Sequence, residues 1–424
     1  MDDVTAAAPA LPRERGFAPS ASPEAAPGGR PDRVYWLALL AVALIARLAF
    51  VFMVPDRIQW PDGREYEGVG RMLVERGTYG NQTLRPPGYP TLIAAVYAVF
   101  GESLRTLRLV EAVLGTLAVG LIGAVGSRVF GRTAGLVGAT LAALHPVLAF
   151  LPSTQFCENT LVLVVTLAFA ALFSAWRRGE VWRWALAGAL FGIAILIRPN
   201  AVLLFPGMAV GLFFAARAGR RRWIGPALAF VAGVVLAVGP WVVREHRVHD
   251  RWYFVVTGGG RTFWYSNNPR ANAETAIPVR PDSAMLTVLY SLPDDVAREN
   301  YYYRQGRDFM RRHPGRAAVL FAKELRNLYS LYPEPITRTY INRWSRWAQG
   351  VASAFLFAGV LMGLARFRAE PALWILAGGI ATFSLGSAVF LTLFRYRMAI
   401  EPCLLWIAGL GWSLAWSRWE ASRA

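Results

Sequence analysis

Lysine is all but missing from this chain: Lys323 is the only one, so a formal net charge of +18 is carried almost wholly by arginine. The two cysteines, Cys157 and Cys403, are too few for a disulfide framework or a zinc site of ordinary ligand spacing, and both read as packing residues. There is no Walker loop, no glycine-rich dinucleotide fingerprint after a strand, no nucleophile elbow and no zincin helix. No internal repeat is visible, and no low-complexity tract beyond the first residues. The basic residues form short groups between apolar runs, not one continuous stripe, which argues against a nucleic-acid partner.

What the chain does have is apolar sequence in long uninterrupted runs, with 55% hydrophobic residues. That is too apolar for one ordinary soluble domain and predicts an all-α polytopic membrane protein. Residues 1–33, rich in Ala, Pro, Gly and Arg without an apolar period, read as a disordered cytoplasmic tail. The run from Val34 to Val54 has full spanning length and no small-residue cleavage site, so it reads as a retained helix. Further spans are expected at Leu104 to Val129, Thr133 to Leu151, Asn159 to Trp176, Trp182 to Ile197, Ala201 to Ala216, Trp223 to Val243, Trp347 to Ala365, Pro371 to Phe394 and Met398 to Trp416. This makes a bundle of about ten transmembrane helices.

Thr91 to Phe100 is apolar but too short to cross a core of about 30 Å at about 1.5 Å per residue, and reads as re-entrant or interfacial. Leaving it out of the span count places Arg128/Arg132, Arg177/Arg178/Arg183, Arg217/Arg220/Arg221/Arg222, Arg366 and Arg368 on one side, the inside. The expected organisation is then an N-terminal bundle over 34–243 with a first outer loop at 55–103. An outward segment over 244–346, spans over 347–416 and a cytoplasmic end at 417–424 complete it. The outward segment carries turn chemistry at Gly258-Gly259-Gly260 and Asn267-Asn268-Pro269, then helical stretches near Val296 to Arg312 and Arg316 to Tyr332.

The first outer loop holds the acidic stretch Trp60-Pro61-Asp62-Gly63-Arg64-Glu65-Tyr66. Tyr66, Val69, Met72 and Leu73 recur at helical spacing, with Arg64, Glu65, Glu67, Arg71 and Glu75 on the other side, so this segment should lie flat in the interface. Asp62 then stands at the helix start, as an N-cap, as a positioned carboxylate, or as both. Arg85 in Arg85-Pro86-Pro87-Gly88-Tyr89-Pro90 could hold a phosphate oxygen in its planar fork, or simply sit at a proline-started helix. Arg198, Arg244 and Arg395-Tyr396-Arg397 lie at outward span ends, against the positive-inside pattern. Singly each reads as a snorkelling arginine; together, on the face that holds Asp62, they suggest a lipid phosphate site. Glu158, at the outer start of its span, is a further carboxylate or a helix-dipole partner. Glu245, His246, His249 and Asp250 match no zinc spacing, so a divalent metal is an open possibility and no metal ligand is assigned.

Taken in order, Asp62 with Tyr66, Arg85 to Pro90, Arg198-Pro199, Pro240-Trp241, Gly259 to Pro269, and Arg395-Tyr396-Arg397 before Glu401-Pro402 resemble the bacterial branch of the protein O-mannosyltransferase family. That branch belongs to the multi-span C-type glycosyltransferases and is similar to the aminoarabinose transferases acting on lipid A. The resemblance implies a bacterial plasma membrane enzyme, an outward-facing site, a sugar donor carried on a polyprenyl phosphate, and inversion at the anomeric carbon. It implies Asp62 as the catalytic carboxylate. Two positions depart from the family pattern: relatives often have Asp-Glu where this chain has Asp62-Gly63, and Arg-Asn where it has Arg244-Glu245. The first leaves Glu65 and Glu158 as alternative second carboxylates.

The residues agree on one point, since nucleotide sugars stay in the cytoplasm and the chain offers no inward domain to bind one. The expected site therefore comprises Asp62 as general base with Glu65 and Glu158, the donor phosphate on Arg85, Arg198, Arg244, Arg395 and Arg397, and Tyr66, Tyr89 and Tyr396 positioning substrate. The acceptor is a hydroxyl on a lipid, glycan or protein, and membrane lipid is a further partner. A flippase for lipid-linked sugars, or a polysaccharide polymerase or ligase, are the competing readings. Trp252, Phe263, Trp264, Tyr265 and Tyr301-Tyr302-Tyr303 are sugar-stacking or core aromatics of the outer segment.

Overall fold

The computed structural model describes residues 30–216, 223–273, 279–332 and 343–423. The expected tail up to residue 29 and the group Arg217/Arg220/Arg221/Arg222 lie outside the described residues, as do 274–278 and 333–342 of the outer segment. Every regular element among the described residues is a helix. Helix α1 (Arg30–Met53) leads into α2 (Pro61–Arg76) and α3 (Gly88–Phe100), which fill the first loop. The bundle continues with α4 (Leu104–Phe130), α5 (Arg132–Leu144), α6 (Pro146–Phe150), α7 (Glu158–Arg178), α8 (Val181–Ile197), α9 (Leu204–Ala216) and α10 (Ile224–His249). Segment 244–346 contributes α11 (Gly259–Ser266), α12 (Ser283–Ser291), α13 (Asp295–Arg312) and α14 (Pro314–Leu328). The chain then returns through α15 (Arg343–Leu364), α16 (Pro371–Ser387) and α17 (Glu401–Ala421).

Among the described residues, five helices are long and apolar enough to cross a membrane: 33–53, α4, α7, α10 and 346–364. The expected span at Thr133 to Leu151 is broken. Pro146 has no N–H for the preceding turn, and α5 and the stretch after it meet at 56° across His145, so the pair makes a sixth span at most. The remaining four of the ten expected spans do not reach that measure. Helices α8 and α16 have 17 residues each, or about 25 Å at about 1.5 Å per residue. The run from Ala201 divides into a 3-10 turn at Pro199–Leu203 and the 13-residue α9. Helix α17 carries Trp406, Trp412, Trp416 and Trp419.

Small residues let these helices meet. At the crossing of α9 and α16, a Cβ on Gly207 would fall 1.7 Å from the Gly378 carbonyl oxygen, and one on Gly378 would fall 2.1 Å from that of Gly207. Backbones in such contact gain dispersion energy that lipid cannot supply. Helix α8 packs on α10 in the same way, with Gly233 against the Ala185 carbonyl.

Helix α2 matches the amphipathic expectation with one correction. Glu67, placed on the polar side, is buried and held by Arg71 and by the Tyr97 hydroxyl of α3 at 3.3 Å. In segment 244–346, Asp282 and Asp294 accept from Met285 and Ala297 backbone N–H groups at 2.9 and 2.7 Å, which starts α12 and α13. Gly258, at φ +123, turns the chain into α11, and its N–H donates to Glu299 at 2.5 Å. The segment is pinned to the first loop by Thr83, whose hydroxyl donates to Asp295 at 2.8 Å and whose carbonyl accepts from Thr257 N–H at 2.8 Å.

Candidate active site

The N-cap of α2 is Trp60, not Asp62. Pro61 takes the first helical position, where its missing N–H costs nothing, and Asp62 stands in the first turn with its carboxylate free to turn outward from the axis. Its two oxygens meet two arginines. Arg85, just before α3, donates to Oδ1 at 2.7 Å, and Arg395, from the 3-10 turn Phe394–Ala399, donates to Oδ2. Arg85 also donates from Nε to Glu65 at 2.7 Å and lies 4.7 Å from the Tyr66 ring centroid.

Arg395 ties this pair to α7. Its Nε is 3.7 Å from Glu158, whose same oxygen accepts from Arg198 at the end of α8. Arg198 lies 4.0 Å from the centroid of Tyr396, and Arg395 lies 4.1 Å from that of Phe156. The floor is aromatic: Tyr66 and Tyr89 meet edge to face at 5.3 Å, and the Tyr66 hydroxyl points at the Cys157 sulfur at 3.5 Å. Eight of the eleven expected site residues thus converge: Asp62, Glu65, Glu158, Arg85, Arg198, Arg395, Tyr66 and Tyr396, with Tyr89 packed beneath them as the ninth.

Arg244 and Arg397 do not join them. Arg244 pairs with Glu245 beside it and donates to the Gly80 carbonyl at 2.6 Å, alongside the contacting rings of Trp241 and Tyr79. Arg397 is fully buried, with Nε on Glu401 at 2.8 Å and His145 on the other side of that carboxylate at 3.4 Å. Its pairing one helical turn ahead turns it into the core, while Arg395 two residues earlier faces Asp62.

Three guanidiniums and three carboxylates therefore share one basin open to solvent through Asp62, whose side chain is 30% exposed, while Glu158 is at 1%. Burial works to raise the Asp62 pKa, but the charges of Arg395 and then Arg85, with their hydrogen bonds, outweigh it. They hold the carboxyl well below the usual carboxylate range. Burial pushes the Tyr66 hydroxyl well up, so it stays a neutral donor.

The Gly63 departure has a steric cause. A Cβ there would stand 3.1 Å from Ile58 Cγ2, 3.3 Å from Gln155 Cβ and 3.3 Å from the Thr154 carbonyl oxygen. The first turn of α2 presses against the segment leading to Glu158, and that segment occupies the room a second loop carboxylate would need.

As placed, the carboxylates do not fit a divalent cation, because Asp62, Glu65 and Glu158 are each committed to arginine. Among the described residues no three His, Cys, Asp or Glu side chains gather within metal reach. In the Glu245 to Asp250 stretch, His249 is 3.5 Å from Glu245, while His246 stacks on Trp252 at 3.9 Å. Of the outer aromatics, Phe263 and Trp264 are core residues packed on Tyr303 and Tyr302, and Trp252 is 63% exposed.

Sequence reasoning missed Arg108. This fully buried side chain, on the second turn of α4, donates to the carbonyls of Pro55 at 2.9 Å and Arg57 at 3.0 Å and to the Gln155 side chain at 3.3 Å. It binds the irregular segment before Asp62 to the segment before Glu158. Glu111, one turn on, accepts from the Thr160 hydroxyl at 2.8 Å and from Asn159, and so fixes the start of α7. The signal that could have found both was an ionisable pair inside an apolar run.

No curated protein matches the chain by sequence. Residues 84–243 match the family described as dolichyl-phosphate-mannose-protein mannosyltransferase. That stretch includes Arg85, Tyr89, Glu158 and Arg198 and stops short of Asp62 and Arg395. Among solved structures, the chain is similar to the oligosaccharyltransferase of Archaeoglobus fulgidus in the apo form, with a TM-score of 0.58 and 14% identity over 93% of this chain and 52% of that one. It is also similar to the archaeal oligosaccharyltransferase AglB of the same organism in complex with an inhibitory peptide and a dolichol-phosphate, with a TM-score of 0.55, 13% identity and the same coverage. The ArnT of Cupriavidus metallidurans bound to undecaprenyl phosphate matches with a TM-score of 0.43 and 16% identity, over 91% of this chain and 79% of that one. The chain spans about half the length of the archaeal oligosaccharyltransferases it matches. The resemblance read from the sequence is thus borne out by the mannosyltransferase family pattern over residues 84–243, and the helical fold is similar to that of the archaeal oligosaccharyltransferases.

Proposed function

We propose that the chain is an inverting glycosyltransferase that moves a sugar from a polyprenyl-phosphate carrier to an acceptor hydroxyl on the outer face of the membrane. The observation that carries this reading is the double seating of Asp62 between Arg85 and Arg395, with Arg198 beside them on Glu158. Arginine forks at membrane-surface depth are built for phosphate oxygens, and a lipid-borne donor is in keeping with the family matched over 84–243. Sidedness is supported by Arg128, Arg132, Arg177, Arg178, Arg183, Arg366 and Arg368, all at helix ends opposite the Asp62 basin.

In the resting arrangement the arginines are occupied by carboxylates. A donor phosphate takes those N–H groups, and each contact Asp62 loses raises its basicity toward an ordinary carboxylate. The acceptor oxygen attacks the anomeric carbon from the face opposite the phosphate as its proton passes to Asp62. The bond from that carbon to the phosphate oxygen breaks, and the electron pair leaves with the polyprenyl phosphate. Arg85, Arg198 and Arg395 stabilise the charge that grows there. Glu158, buried and shared by Arg198 and Arg395, sets the spacing of the forks and takes the part of the second carboxylate in preference to the half-exposed Glu65. The outer segment 244–346 shapes acceptor choice.

The test is release of free polyprenyl phosphate from a panel of polyprenyl-phosphate sugars by purified protein and its Asp62→Asn variant, with envelope extract as acceptor. Release by the wild type alone supports the reading. Silence of both proteins, with labelled donor crossing a reconstituted bilayer, replaces it with a flippase.

A further inference from the structure

At the end of the bundle away from Asp62, the last turns of α4 and α7 enclose a cavity of about 660 Å³. Its floor is apolar, made by Val125, Val129 and Phe173, and three guanidiniums stand over it: Arg128, Arg177 and Arg178. No carboxylate lines it. Arg177 is used by the fold, since its Nη1 donates to the Arg128 carbonyl at 2.9 Å and closes the end of α4. Neighbouring Arg183 is likewise engaged, with Glu180 at 2.5 Å and Ser174 at 3.0 Å. Among the described residues, the Arg128 and Arg178 side chains have no partner.

Two uncompensated cations over a greasy floor, at the depth where a span ends, complement a molecule with a phosphate head and an acyl body. A soluble anion would leave Val125 and Phe173 facing water, and a neutral lipid would leave the two guanidiniums without counter-charge. Basic recesses between helix ends are used for anionic headgroups, each arginine adding to the attraction. We infer that this recess binds an anionic glycerophospholipid of the membrane leaflet on that side, its phosphate on Arg128 and Arg178 and one chain along Val125 and Phe173. Such a lipid would hold the ends of α4 and α7 together, and these two helices carry Arg108, Glu111 and Glu158 at their other ends. The inference is independent of the sugar-donor reading.

The experiment is native mass spectrometry of delipidated protein titrated separately with phosphatidylglycerol, phosphatidylcholine and undecaprenyl phosphate. Phosphatidylglycerol should be retained over phosphatidylcholine, and Arg128→Gln/Arg178→Gln should weaken its retention by roughly tenfold or more while leaving that of undecaprenyl phosphate, which the Asp62 basin would take, unchanged. Arg128→Lys/Arg178→Lys should keep most of it, and Arg366→Gln/Arg368→Gln, at the same end but outside the recess, should leave it unchanged. Single Arg128→Gln should show a smaller loss, so the test stands even where the double variant does not fold. Equal retention of phosphatidylcholine, phosphatidylglycerol retention undiminished in Arg128→Gln/Arg178→Gln, or an equal loss in the Arg366/Arg368 variant would each overturn the inference.

Discussion

Arg395 donates to the Oδ2 atom of Asp62 across 333 residues of sequence, joining the turn before the last helix to the first turn of the first loop. With Arg85 on the other oxygen, the carboxylate that the proposed reaction needs as a base is, without donor, fully spoken for. Removing its charge therefore has two separable effects. Asp62→Asn keeps the shape but cannot take the proton, so kcat should fall about 10²–10⁴-fold, the usual contribution of a positioned base. The arginines lose a competitor at the same time, so donor binding should hold or tighten. Turnover and donor Kd measured on one preparation check both, and a weaker donor Kd would show that Asp62 helps hold substrate.

The pH profile follows from the same pairing. The folded pKa of Asp62 lies below its ordinary value of about 3.9, so its pairing stabilises the fold fully above that pH and is lost as pH falls through the folded pKa. The acid limb of kcat/KM, which reports free enzyme, should then lie below about pH 4 in the wild type. Arg395→Gln should move it up toward the ordinary carboxylate range. The limb of kcat, which reports the donor complex, should stand higher than that of kcat/KM, because phosphate has taken the arginines. Coincident limbs in wild type and Arg395→Gln would remove the proposed release of Asp62.

Glu158 gives a stability prediction. Its side chain is 1% exposed and its nearest cation is Arg198, with Arg395 farther off at 3.7 Å. Arg198→Leu leaves a buried carboxylate short of its main partner, a loss of about 3 kcal/mol by comparison with other broken buried pairs. Arg198→Leu/Glu158→Gln, which removes both charges, should recover much of the thermal stability in detergent while remaining inactive. Activity restored in the double variant would separate Arg198 from the phosphate.

Gly63 tests whether the basin tolerates the second loop carboxylate common in relatives. A Cβ at 63 meets Ile58 and the Thr154–Gln155 backbone and side chain at 3.1 to 3.3 Å, so Gly63→Ala asks for shifts of a few tenths of an ångström. Gly63→Glu must displace the segment leading to Glu158, at about 1–3 kcal/mol for overpacking. Thermal melting should rank wild type above alanine above glutamate. A Gly63→Glu variant as stable and as active as wild type would show that segment to be yielding.

How far the sequence could be read depended on whether a residue's partner was local. Asp62 announced itself by an acidic stretch at a helix start, Arg85 by its place before a proline-started helix, Arg198 by positive charge at an outward span end against the positive-inside pattern, and Tyr66 by its spacing on α2. Arg395 and Arg397 look equivalent in sequence. On a 3-10 turn of about three residues per turn they point to different sides, and only Glu401 one turn on decides that Arg397 goes inward. Hydropathy along one helix likewise cannot tell that Gly207 and Gly378 let two short helices meet backbone to backbone. His145-Pro146 lies inside a run expected as one span, and the break of 56° there depends on what α6 packs against.

Arg108 is where that blindness has the largest consequence, because it touches neither Asp62 nor Glu158 and yet holds the backbone that presents both. Its guanidinium serves the Pro55 and Arg57 carbonyls and the Gln155 side chain, and Gln155 itself sits at φ +56, a left-handed conformation that a non-glycine residue keeps only when its surroundings hold it. Arg108→Ala removes all of these contacts at once. Turnover should fall by about 10²-fold, the scale expected when reacting groups shift by roughly an ångström. Donor KM should change far less, since Arg85, Arg198 and Arg395 remain. Arg108→Lys, which can reach one or two of the acceptors, should recover part of kcat, a graded rescue that mere loss of fold would not give. The acid limb of kcat/KM should stay where wild type has it, because the charges facing Asp62 are untouched. A KM that rises as steeply as kcat falls would move Arg108 from positioning the carboxylates to shaping the donor site.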